Sequence, residues 1–299
     1  MKVAHLIMAY KNPHQVETLL KRLSHPHFHL YIHLDKKIDI KDYSHLAKME
    51  NVCFIKNRKL CNWGGFSFVK AITASVKEIL GRSIHYDYIN LLSGQDYPLK
   101  TNEYIYRFLC ENNGTNFISF EEQVGSKWWA HARSRYEKFH FTDVNIKGRY
   151  IAQKVNNISS KRNFPLSINL YGCAVASWWT ISCECAQYII DYLEENKKLV
   201  KFMRYTWGAD EFFYPTLIMN SPYSKLVVND NMRYIEWETG KSNPKILKEL
   251  DLLKLQQSKA LFARKFDITT DPEIFNQLDN LIKKSKNEKY QFNNVSNGM

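Results

Sequence analysis

In the stretch TWGADEFFYPTLIMNSP, residues 206–222, two adjacent carboxylates, Asp210 and Glu211, stand at the head of an aromatic and aliphatic run. Such a pair admits two chemistries. A carboxylate backed by apolar side chains loses solvation, its pKa rises, and it becomes a general base suited to neutral pH. Alternatively both acids begin a helix, where the dipole and the free N–H groups stabilise negative charge. The stretch FARKF, residues 262–266, sets Arg264 beside Lys265 between two phenylalanines. Neighbouring guanidinium and ammonium groups suit phosphate oxygens, and the plainer alternative is a solvated surface pair. Phe262 and Phe266 favour a packed segment. Trp178 and Trp179 alternate across an expected strand, so one enters the core while the other faces a cleft, where its ring can stack on a sugar.

The elements that must position these groups are read from hydrophobic spacing. KVAHLIMAY and FHLYIHLDK read as buried strands, and NPHQVETLLKRLSH between them reads as a helix opened by Asn12 as N-cap and Pro13 in its first turn. NVCFIKN, GGFSFVKAITASVKEILGR and YDYINLLSGQDYPL repeat the alternation of strand and helix. The pattern predicts an α/β protein whose central sheet is mostly parallel and flanked by helices. Ligands on such sheets gather at the carboxyl ends of strands, where His33, Asp35, Ser93, Gln95 and Asp96 fall. Gly94 and Pro98 favour a turn, in which Asp96 can also bond backbone N–H groups. Residues from about 120 to 170 read as long loops with short helices, and loops of that length commonly bind something. CAVASWWTIS then reads as a strand, CECAQYIIDYLEENKKLVKFMRY as one helix, and ADEFFYPTLIMN as a short helix capped by Asp210. No linker divides the chain, so residues 1–285 are expected to form a single domain, followed by a flexible tail at 286–299.

The 299 residues suffice for a large core, and a net charge of +12 favours anionic partners. The basic residues are spread along the chain without a zinc-finger or other nucleic-acid motif, which argues against nucleic acid. Six cysteines without a CxxC, mostly in apolar contexts, read as free thiols of a reducing compartment. The N-terminal apolar run is too short for a secretory segment, and no 18-residue apolar stretch follows. The expectation is a cytoplasmic protein whose basic surface can rest peripherally on an anionic inner membrane face.

HLDKK at 33–37, WGGFSFVKA at 63–71, LLSGQDYPLKT at 91–101 and FARKFD at 262–267, with WWTIS and ADEFFYPTLIMNSP between them, together resemble one family. They resemble the Branch-domain glycosyltransferases, glycosyltransferase family 14, which includes core-2/I-branching β-1,6-N-acetylglucosaminyltransferases and peptide O-xylosyltransferases. The resemblance implies a GT-A type fold, a UDP-sugar donor, inversion at the anomeric carbon, and no metal or other cofactor. In agreement, no two of the 13 aspartates are two positions apart, so the Asp-x-Asp metal motif is missing. The resemblance makes Glu211 the base that deprotonates the acceptor hydroxyl and Lys265 a donor-diphosphate ligand, with Arg264 or Lys241 as the second cation. It assigns His33, Asp35 and Arg58 to the nucleotide, leaves Lys36 and Lys37 to solvent, and sets Ser93, Gln95, Asp96 and Asp210 beside the donor sugar. Glu121 and Glu122, with Arg133, Arg135 and a cleft-facing Trp178 or Trp179, fall in the acceptor region. FARKFD and NDNMRYIEW lean towards the xylosyltransferases, and the whole suggests a bacterial-type member that builds a surface polysaccharide on a glycan or glycoconjugate acceptor. The second reading is a non-catalytic protein of the same fold that binds nucleotide sugars or carbohydrate.

Overall fold

The computed structural model describes residues 1–283. The expected tail at 286–299 lies outside the described residues. Strand β1 (Val3–Ala9) is apolar almost throughout because both its faces are covered. Ala4, Leu6 and Met8 enter one core, and Val3, Ile7 and Ala9 enter the other. Helix α1 (Pro13–Arg22) begins at its proline as expected. Asn12 holds the N-cap position, as expected, but its side chain makes no capping bond: its backbone is left-handed, with φ 53°, and its amide donates to Asp267 Oδ1 at 3.2 Å.

Strand β2 (Phe28–Leu34), the short β3 (Val52–Phe54), helix α2 (Phe66–Leu80) and strand β4 (Tyr88–Ser93) complete a parallel half-sheet with β1. The chain then turns through β5 (Asp96–Pro98), α3 (Asn102–Glu111), β6 (Asn116–Ile118) and β7 (Glu121–Glu122). Two surface helices, α4 (Lys127–Glu137) and α5 (Arg149–Ser159), occupy the region read as loops with short helices. Next come β8 (Tyr171–Gly172), β9 (Trp179–Ser182), α6 (Cys183–Glu195), α7 (Lys197–Met203) and α8 (Phe213–Met219). The helix expected to run from Cys183 breaks at Asn196, whose side chain donates to Tyr192 O at 2.9 Å and stops α6. The last described elements are β10 (Val227–Val228), β11 (Arg233–Ile235), α9 (Leu252–Gln257), β12 (Phe262–Arg264) and a helical stretch at 273–283.

The main sheet runs β10-β6-β9-β4-β1-β2-β3, with β9 antiparallel to both neighbours and the other pairs parallel. Helices cover both faces, as expected of this α/β class. A second sheet, β11-β12-β5, stands beside it. All six cysteines are free; Cys173, Cys183 and Cys185 are buried, Cys53 and Cys61 are half-buried, and Cys110 is exposed.

One buried cation joins the two sheets. Arg233, on β11, donates to Leu91 O at 3.1 Å, Trp179 O and Thr180 Oγ1 at 3.0 Å, and also to Asn90 Oδ1. Asn90 in turn donates to His5 Nδ1 at 2.8 Å, and burial drives His5 down to about 3, so its ring accepts as a neutral group. Removing the guanidinium strands these acceptors away from water. Arg233→Ala is expected to lower unfolding free energy by about 3 kcal/mol or more, measured by urea denaturation.

Candidate active site

The carboxyl ends of β1, β2 and β4 open into a cleft of about 640 Å³. The second sheet and the loop before α8 close its other side. Ser93 ends β4 and Gln95 follows it, His33 lies at the end of β2 and Asp35 follows it, and Glu211, Arg264 and Lys265 join them from later in the chain.

Glu211 is positioned by glycines and aromatics. Gly208 adopts φ +59°, and a Cβ there would stand 2.8 Å from Arg135 Nη1. A Cβ on Gly172 would reach 2.6 Å from Glu211 O, and only a hydrogen fits. Phe212 and Phe213, buried to 0% and 2% exposure, anchor the segment behind the acids. This answers why a charged pair heads an apolar run: the rings fix the carboxylate and strip its solvent. Burial raises Glu211 to about 7, Arg135 opposes the rise and Asp210 adds to it. Arg135 Nη1 donates to Glu211 Oε2 at 2.5 Å, while its guanidinium lies over Trp207 at 4.7 Å and Trp128 at 5.2 Å from the ring centroids.

Asp210 is not the helix cap that the sequence suggested. It sits in a 3₁₀ turn, Ala209–Glu211, and α8 starts only at Phe213, with Phe212 in the cap position and no side-chain cap bond. Its Oδ2 accepts from Ser177 Oγ at 2.7 Å, and burial raises its pKa. Asp210 still lines the cleft.

Arg264 is held by three features. Its strand pairs with β5 so that Arg264 stands opposite Asp96, its guanidinium lies 3.9 Å from the Trp178 ring centroid, and Nε is 3.3 Å from Asp96 Oδ1. That approach is not aligned as a hydrogen bond, and buried Nε has no other partner. Lys265 has no ion pair among the described residues, and its pKa is lowered by burial, then by Arg264 and Lys11. Two cations that repel each other at a cavity wall favour an anion between them.

His33 Nε2 accepts from Lys59 N at 3.0 Å, and burial lowers it to about 4. Asp35 accepts from Lys37 N at 3.0 Å and Cys61 N at 3.4 Å. Gln95 Oε1 accepts from Tyr10 at 2.9 Å.

The remaining expected site residues fall elsewhere. Arg58 donates to Leu34 O and Asp35 O at 2.9 Å and Ile38 O at 2.5 Å; it braces the end of β2 from outside the cleft wall. Glu121 and Glu122 are exposed on β7, also outside the cleft, where Glu121 serves Ser126. Asp96 lies behind the wall, accepting from Ser93 N and Oγ. Trp179 is a core residue at 0% exposure and Trp178 faces the cleft, but Arg264 covers it. Lys37 is exposed, as expected, and from there also lines the cleft and donates to Cys61 O.

A family model for the Core-2/I-branching enzymes matches residues 3–259. The chain belongs to that family. Xylosyltransferase 2 of Rattus norvegicus is 26% identical over 302 positions, covering 93% of this chain and 33% of that protein. Xylosyltransferase oxt of Drosophila melanogaster is 25% identical over 289 positions, covering 89% and 31%. The chain thus spans about a third of the length of these relatives. Among solved structures, mouse xyloside xylosyltransferase 1 aligns at TM-score 0.40 and 13% identity over 87% of this chain and 97% of that one. An active-site mutant of LgtC aligns at 0.46 and 10% over 88% and 86%.

In this Core-2/I-branching family member, the sequence placed Arg135 only in a broad acceptor region, and Trp128 and Trp207 were not singled out. Trp128 and Arg135 are seven apart on α4 and share one helix face, which is the one local signal available. Arg133, two residues earlier, points to Glu137 instead. Replacing Arg135 with Met removes the charge that holds Glu211 down. The Glu211 carboxyl is expected to titrate about one unit or more above 7, followed by carbon NMR of labelled glutamate.

Proposed function

We propose that this cleft transfers a sugar of the N-acetylglucosamine or xylose type from a UDP-sugar to a hydroxyl of a glycan or glycoconjugate, with inversion and without a metal. The observation that carries the reading is one cavity lined by a carboxylate raised to about 7 and by two adjacent cations, Arg264, backed by Asp96, and Lys265, which has no ion pair among the described residues. Glu211 is anionic in a useful fraction at neutral pH and takes the acceptor proton as the oxygen attacks the anomeric carbon. Negative charge then develops on the departing diphosphate, where Arg264 and Lys265 stabilise it. His33 and Asp35 line the wall we assign to the nucleotide, and Ser93 and Gln95 line the same cleft. Xylosyltransferase relatives support the sugar class, and surface polysaccharide synthesis is the setting we infer.

Glu211→Gln removes the base but keeps size and hydrogen bonding. Transfer is expected to fall about 10²- to 10⁴-fold, with UDP affinity by calorimetry changed less than about twofold. A variant that transfers normally but no longer binds UDP would assign Glu211 to binding, and a wild type that binds nucleotide sugars yet never transfers favours the non-catalytic reading.

Arg264→Ala and Lys265→Ala are each expected to weaken UDP about tenfold or more. Wild-type UDP affinity should be the same with and without EDTA, and loss of binding in EDTA would refute the metal-free reading. Because only ionised Glu211 acts as base, transfer at saturating substrate should rise with pH and level off above about 7.

A further inference from the structure

Helix α5 is turned inside out. Three of its polar side chains, Arg149, Gln153 and Asn157, bond the preceding loop: Gln153 Oε1 accepts from Phe141 N at 2.7 Å, and Arg149 donates to Val144 O at 2.7 Å. Asn157 accepts from Phe139 N and donates to Phe139 O, both at 2.8 Å. Its apolar side chains face outward. Ile151, Val155 and Ile158 follow the i, i+4, i+7 spacing of one helix face and are 73%, 62% and 80% exposed. Ile146 and Tyr150 extend the patch, and no residue of α5 is buried. Rotating the helix to hide the isoleucines would break those four hydrogen bonds, so the outward face is fixed by the fold.

The surroundings select the occupant. Residues 144–183 contain no aspartate or glutamate. Lys147 and Lys154 are exposed and have no ion pair among the described residues, whereas Lys161 meets Glu137 at 3.6 Å. Asp143, just before this stretch, is turned towards Ser67 and Asn62. A second copy seated face to face would oppose lysine with lysine. An apolar stripe edged by unpaired lysines matches the boundary between lipid headgroups and acyl chains in an anionic bilayer.

We propose that α5 docks on an anionic membrane surface, with Ile151, Val155 and Ile158 entering the headgroup boundary and Lys147 and Lys154 meeting lipid phosphates. Asn62, tied to Asp143, lines the cleft, so docking seats the cleft mouth close to the bilayer. This holds whatever the cleft transfers.

The test is co-sedimentation of the full chain with phosphatidylglycerol/phosphatidylcholine vesicles in about 0.1 M salt, against phosphatidylcholine alone. Wild type should sediment with the anionic vesicles. Ile151→Gln with Ile158→Gln, which leaves every charge in place, should lower partitioning about tenfold while melting temperature and UDP affinity stay unchanged. Lys147→Ala with Lys154→Ala should remove the preference for the anionic lipid. A Val155→Trp reporter gives a second reading, since its emission should shift to the blue when anionic vesicles are added. Wild type left in the supernatant, a glutamine pair that sediments as before, or a wild-type dimer abolished by the glutamine pair without vesicle binding would each overturn the proposal.

Discussion

Placing a guanidinium in a poorly solvated wall requires something to hold it there. For Arg264 the support is divided between the Asp96 carboxylate behind it and the Trp178 face beside it. Both depend on register: β12 pairs with β5 so that Arg264 meets Asp96, and with β11 on its other edge. The small sheet is thus the device that carries a cation from near the end of the chain to the strand ends of the first half. A slip of one residue would turn Arg264 to the opposite face.

Glu211 is governed by the opposite balance. Burial and Asp210 resist its ionisation, and Arg135 favours it, so the carboxyl titrates close to neutrality rather than in the acid range. The two tryptophans around Arg135 restrict where that counter-charge can go. Glu211 and Lys265 answer burial with different sign: the acid is made harder to ionise, and the lysine is made easier to neutralise.

The alternation of strand and helix in the first hundred residues was legible because a strand buried on both faces is apolar throughout, and because α2 repeats its core residues at helical spacing. For the same reason His33, Asp35, Ser93 and Gln95 could be set at strand ends. Asp210 was misread because an acid before an apolar helix has the appearance of a cap, and only the left-handed Gly208 and buried Phe212 show that a 3₁₀ turn intervenes. Arg58 could not be separated from a ligand-binding arginine, since its partners are backbone carbonyls 20 to 24 positions away. Arg135 meets Glu211 across 76 positions, and no local pattern encodes such a pair.

The order of the second sheet, β11-β12-β5, also bears on synthesis. Its central strand is the last of the three to leave the ribosome, and the two outer strands do not pair with each other. A nascent chain that has emerged only as far as α9 can hold the acid and its arginine partner, yet it lacks both positive groups of the opposite wall. Arg264 and Lys265 therefore join the cleft only after every strand of the main sheet has been made.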